Sequence, residues 1–176
     1  MKRSHHFVHI SLFLLLAGSF FLAPAWGVPN TVQAQDSPTW VVFPAPPGGT
    51  LYAVDMVHAG YGWAGGMVGL MLRFDGSEWK TIWLDMDSAV FAIDMINESD
   101  GLAVTHDGKI LRYNGSVWQQ AAKPSEALSD IQMLNAGEGW AVGGGGGIFH
   151  YTGGGWKQAD SPTDVWLKGI LSLIHI

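Results

Sequence analysis

Gly137-Glu138-Gly139-Trp140-Ala141-Val142-Gly143, followed by Gly147-Ile148-Phe149-His150-Tyr151 and closed by Trp156, decides the fold, because the chain writes this frame three times. Upstream, Gly60-Tyr61-Gly62-Trp63-Ala64-Gly65 leads to Leu72-Arg73-Phe74-Asp75-Gly76 and then Trp79. Between the two, Asp100-Gly101-Leu102-Ala103-Val104 leads to Leu111-Arg112-Tyr113-Asn114-Gly115 and then Trp118. Trp79 and Trp118 stand 39 residues apart, and Trp118 and Trp156 stand 38 apart. A fixed period of this length marks supersecondary units that bury their apolar faces against one another.

Each unit reads as four strands. The first is Leu51 to Val57, Val90 to Ile96 and Leu128 to Leu134. In it, apolar positions Val54/Ile93/Ile131 and Met56/Met95/Met133 flank the polar Asp55, Asp94 and Gln132. That is period-two strand patterning. The second strand is Trp63 to Met67, Leu102 to Thr105 and Trp140 to Gly143. A turn follows, clearest at His106-Asp107-Gly108, where Asp-Gly suits a hairpin needing positive φ. The third strand is Leu70 to Phe74, Lys109 to Tyr113 and Ile148 to Tyr151. Tight turns at Asp75-Gly76-Ser77, Asn114-Gly115-Ser116 and Thr152-Gly153-Gly154 lead to the strand that carries the closing Trp. Four strands of about 5–6 residues with short turns fill the period almost completely, whereas two helices of the same length would need a 3.6-residue periodicity that is missing. A four-stranded unit at this period is a propeller blade. The expected fold is therefore all-β, a β-propeller of four-stranded blades of 38–39 residues forming an incomplete ring, with each repeated Trp in the core.

The blades divide the chain into residues 51–89, 90–127 and 128–165, with a further blade starting at 166–170. Residues 1–34 read as a signal peptide. Lys2-Arg3 opens it, an apolar run spans Phe7 to Ala23, and cleavage is expected after Ala34, where Gln35-Asp36-Ser37 turns polar. Ala23-Pro24-Ala25 is a second small-residue site, and an uncleaved anchor at the cell surface is the alternative. The protein is thus expected to be secreted or extracytoplasmic, with no membrane insertion beyond that segment. Residues 35–50 form a linker and an N-terminal closing strand, because Trp40 lies 39 residues before Trp79 and has no earlier strands of its own. Leu171-Ser172-Leu173-Ile174-His175-Ile176 reads as the translation of a common transposon sequencing adapter, so 171–176 is expected to be foreign to the gene and the chain a fragment.

The chain holds 9 Lys and Arg against 15 Asp and Glu, and Lys2 and Arg3 fall in the leader. An acidic remainder excludes nucleic acid, which requires a basic footprint, and argues against an anionic membrane surface. With 0 Cys there is no disulfide framework, and packing alone must hold an exported domain.

Gly139-Trp140-Ala141-Val142-Gly143, then Ile148-Phe149-His150-Tyr151 and Trp156, resemble the propeller superfamily that includes photosystem II assembly factor-like proteins and the BNR/Asp-box repeats of sialidase-like proteins. The resemblance covers residues 39–170. It implies a six- to eight-bladed ring and, through its sialidase-like branch, a glycan-active enzyme whose catalytic residues lie on other blades. Asp75-Gly76 with Trp79 comes closest to the Asp-box, while Asn114 and Thr152 replace the Asp in the other copies. Fold alone does not carry function.

Candidate chemistry is sparse. Sialidase-like catalysis needs clustered arginines, and Arg73 and Arg112 instead occupy equivalent positions of successive units. The carboxylate pairs Asp85/Asp87 and Glu98/Asp100 fall in expected inter-strand loops, where acids are ordinarily solvated turn formers. His58, His106 and His150 lack ligand spacing, so neither metal nor other cofactor is expected. Gly143 to Gly147 is glycine-rich without the Lys-Ser/Thr of a phosphate loop. The chain therefore reads as a non-enzymatic binding or scaffold module for a protein or glycan. Asp85, Asp87, Glu98, Asp100 and His106 are the candidate binding residues, and Asp55 and Asp94 the candidates for lining the channel.

Overall fold

The structure, a computed structural model, describes Val42 and residues 49–171. The leader, Trp40 and residues 172–176 lie outside the described residues. Twelve strands form three antiparallel sheets, each in simple up-and-down order. The first sheet is β1 (Leu51–His58), β2 (Tyr61–Gly66), β3 (Leu70–Phe74) and β4 (Trp79–Trp83). The second is β5 (Val90–Asn97), β6 (Asp100–Thr105), β7 (Ile110–Tyr113) and β8 (Trp118–Ala122). The third is β9 (Leu128–Asn135), β10 (Glu138–Gly143), β11 (Ile148–Tyr151) and β12 (Trp156–Ala159). No sheet closes on itself. The first strands β1, β5 and β9 lie side by side, so three blades stack around a common inner edge as in an incomplete β-propeller.

The core lies between blades. Trp63 and Met71 of the first blade meet Val90, Ala103, Leu111 and Tyr113 of the second. Leu102, Val104 and Ile110 of the second meet Leu128, Ala141 and Phe149 of the third. The middle blade is thus covered on both faces, and its central strands β6 and β7 are apolar and buried over Leu102–Val104 and Ile110–Leu111. Each first strand also carries its methionine over a glycine of the second. A Cβ on Gly62, Gly101 or Gly139 would meet the sulfur of Met56, Met95 or Met133 within 2.2, 2.3 and 2.2 Å. This pairing is why both residues recur.

Two expectations need correction. The closing Trp79, Trp118 and Trp156 are half-buried, and among the described residues the fully buried tryptophan is Trp63, 1% exposed. The closing strand is the outer edge of its blade, so its ring packs on one side only. It does so with a repeated geometry: Phe74–Trp79, Tyr113–Trp118 and Tyr151–Trp156 centroids lie 5.2, 5.3 and 5.3 Å apart. Second, β2, β6 and β10 begin at Tyr61, Asp100 and Glu138, two residues ahead of the expected starts. The preceding turns use only two residues, and Asn97 closes one of them by accepting from the Ser99 N–H at 2.8 Å. Asp100 is therefore a strand residue and not part of a loop.

Candidate functional site

In an up-and-down sheet the connections alternate between two ends. The β1–β2 and β3–β4 turns share one, the turn end. The β2–β3 turn and the passage to the next blade share the other, the crossover end.

The turn end is built from self-satisfying caps. Asp75 Oδ1 accepts from the backbone N–H of Ser77 and Glu78, both at 3.0 Å, and Asn114 Oδ1 accepts likewise from Ser116 and Val117. Asn performs the Asp-box task because only the acceptor oxygen is used. Lys80, then Ser77 and the backbone, hold the Asp75 carboxyl well below the usual carboxylate range. Glu98 accepts from His58 Nε2 at 2.7 Å across two blades. His58 Nδ1 accepts from the Gly60 N–H, so the proton resides on Nε2. Asp100 takes both Nε and Nη2 of Arg112, at 2.9 and 2.7 Å, and Arg112 Nη1 donates to Tyr151 of the next blade. Arg112 is thus engaged in holding blades together.

Asp55 and Asp94 line a depression of about 290 Å³ along the inner strands. Their carboxylates bind the neighbouring blade: Asp55 Oδ2 accepts from the Met95 N–H at 2.6 Å, and Asp94 Oδ2 from the Met133 N–H. Asp130 repeats the contact two positions earlier in its strand, accepting from the Ile170 N–H at 2.8 Å.

The crossover end breaks the repeat. Each inner strand opens with a bulge, where Tyr52, Phe91 and Ser129 are the unpaired extra residues. Bulges re-aim side chains, and here they bring Tyr52 and Phe91 edge to face, 5.2 Å apart. Phe91 in turn meets His106 at 5.1 Å, and His106 stacks on Trp166 at 6.2 Å. Lys168 Nζ sits 4.5 Å over the Trp166 ring. Beside this row opens a cleft of about 670 Å³, lined by Tyr52, Phe91, His106, Asp87, Met86 and Val68 among others. Asp85 lines an adjoining cleft with Met86 and Lys109.

Of the candidate binding residues, Asp85, Asp87 and His106 gather at the crossover end, and Glu98 and Asp100 lie at the turn end. They do not form one face. The aromatic row as a whole was missed by sequence reasoning, although His106 was a candidate, because His106 and Trp166 hold positions in their units different from those of Tyr52 and Phe91. The single available signal was the aromatic pair Tyr52/Phe91 at equivalent positions.

These sheets define the chain as a β-propeller. No family model and no curated protein matches it. Solved structures do. The chain is similar to YCF48 from Cyanidioschyzon merolae, with 19% identity and a TM-score of 0.59 over 68% of this chain and 42% of that one. It is also similar to a structure described as YCF48 bound to D1 peptide, with 18% identity and a TM-score of 0.55 over 64% of this chain and 42% of that one. The designed protein Ika8 matches at 12% identity and a TM-score of 0.56, over 69% and 40%. The chain thus spans less than half the length of the YCF48 structures. The likeness agrees with the photosystem II assembly factor-like resemblance of the repeat, and what it shows is the fold.

Proposed function

We propose that this chain is an exported, non-enzymatic binding module whose ligand is a polypeptide, taken up at the crossover end. The observation that carries the reading is the aromatic row with its cleft, where side chains depart from the repeat and remain accessible. Elsewhere charged side chains of the repeat hold the blades together, as Arg112 and Asp100 illustrate. The propeller YCF48 has been solved with a D1 peptide, which supports a peptide ligand for a scaffold of this kind. Export rests on the leader sequence.

The test sets ligand classes against each other. The immobilised chain is screened in parallel with a random-peptide phage library and a glycan array. Enrichment of peptides sharing a motif, lost on Tyr52→Ala, bears the reading out. Retention of glycans alone, or hydrolysis of a fluorogenic sialoside, overturns it.

A further inference from the structure

We infer that the cleft beside Tyr52 and Phe91 is a pocket for one basic side chain, lysine or arginine, of an extended peptide. This rests on the polypeptide reading and adds which residue of the ligand is recognised. Three separate observations converge on it.

The first is charge. Asp107 and Lys109 line the cleft but satisfy each other, Lys109 Nζ lying 2.9 Å from Asp107 Oδ2. Asp107 Oδ1 is taken by the Thr105 hydroxyl at 2.7 Å. Asp87 is left over: among the described residues its carboxylate has no hydrogen-bond or ion-pair partner. The lining therefore carries one uncompensated negative charge, to which a cation is the complement.

The second is the kind of wall around that charge. Met67, Val68 and Met86 provide an apolar side for the methylene stem of a long basic residue, while Tyr52 and Phe91 offer rings to its charged head. The chain already uses this contact at the far end of the row, where its own Lys168 covers Trp166.

The third is Val68. It sits at φ 52° and ψ 47°, the left-handed region, which a β-branched residue occupies only under constraint. The matching turn of the third blade has Gly145 there, at φ 59° and ψ 26°, where glycine meets no penalty. The first blade retains a strained valine, half-exposed and lining the cleft. The isopropyl group supplies a wall that glycine would remove.

The experiment uses nonapeptide pools, random except for a central residue fixed as Arg, Lys, norleucine or Glu, titrated against the chain by fluorescence anisotropy. The Arg and Lys pools are expected to bind about tenfold tighter than the norleucine and Glu pools. Asp87→Asn should remove most of that preference, and Val68→Gly should weaken the Arg and Lys pools while leaving the fold intact by circular dichroism. Equal binding by all four pools, or a preference that survives Asp87→Asn, overturns the pocket while leaving the polypeptide reading standing. Binding by none of the pools overturns the polypeptide reading itself.

Discussion

At the turn end Asp75 and Asn114 close successive turns with the same oxygen on the same two amides. At the crossover end Met67-Val68-Gly69, His106-Asp107-Gly108 and Gly144-Gly145-Gly146 occupy corresponding places with nothing in common but a glycine of positive φ. The capping side chains of the first two blades repeat at the turn end, whereas at the crossover end Val68 and Gly145 share a left-handed backbone that Asp107 does not adopt. Where side chains repeat, each serves the unit it belongs to. Where they diverge, at the crossover end, the cleft lies.

The widest gap between the two kinds of position should appear in stability. Trp63, fully buried between blades, should cost about 3–5 kcal/mol on replacement by Ala. Half-buried Trp79 should cost about half as much by the same urea denaturation. Next comes Arg112→Met, which leaves Asp100 without its bidentate partner in a half-exposed setting. A loss of about 1–2 kcal/mol is expected, with peptide binding unchanged. If Arg112→Met abolished binding while stability held, the division between the ends would be wrong. Val68→Gly should move the other way, raising stability by about 1 kcal/mol through release of left-handed strain. An unchanged or lowered urea midpoint would remove the strain from the account of the cleft.

The smallest effect is a shared response to acid. Both ends hold a carboxyl depressed below its ordinary value of 3.8, Asp75 through Lys80 and Ser77, and Asp107 through Lys109, Thr105 and Ser88, which outweigh its burial. A depressed folded pKa means the unfolded chain binds the proton first. The contribution is complete above the ordinary value, diminishes as pH falls through it, and is gone below the folded pKa. Urea midpoints measured downward from neutral pH should therefore drop below about pH 4, and less so in Asp75→Asn. A variant that tracks the parent through this range would show that the turn-end cap is not coupled to folding.

The architecture was legible because its determinants are local and repeated. The repeated frame placed β3 and β11 at their observed limits, and His106-Asp107-Gly108 announced a turn whose Gly108 has φ 82°. The starts of β2, β6 and β10 were less legible, since turns such as Ala59-Gly60 and Glu98-Ser99 need no positive φ and carry little punctuation. The role of the tryptophans depended on which strand faces a neighbour, and that is fixed by stacking. The cleft was the hardest to read. His106 and Asp87 were singled out, but their company with Tyr52, Phe91 and Val68 arises from a bulge, a strained turn and contact between two blades. None of these has a signature in a linear pattern.

The carboxylates of Asp55 and Asp94 each reach forward to a main-chain amide of the following inner strand, and Asp130 reaches the Ile170 amide beyond β12. A joint of this kind makes demands on the side chain of one partner only, because every residue except proline offers the amide. For this joint, duplicating, deleting or exchanging a unit therefore needs no matched substitution, which leaves the side-chain packing between blades as the part that must match. A gene of this kind can change its number of modules by unequal recombination and still encode a chain whose joints are already made.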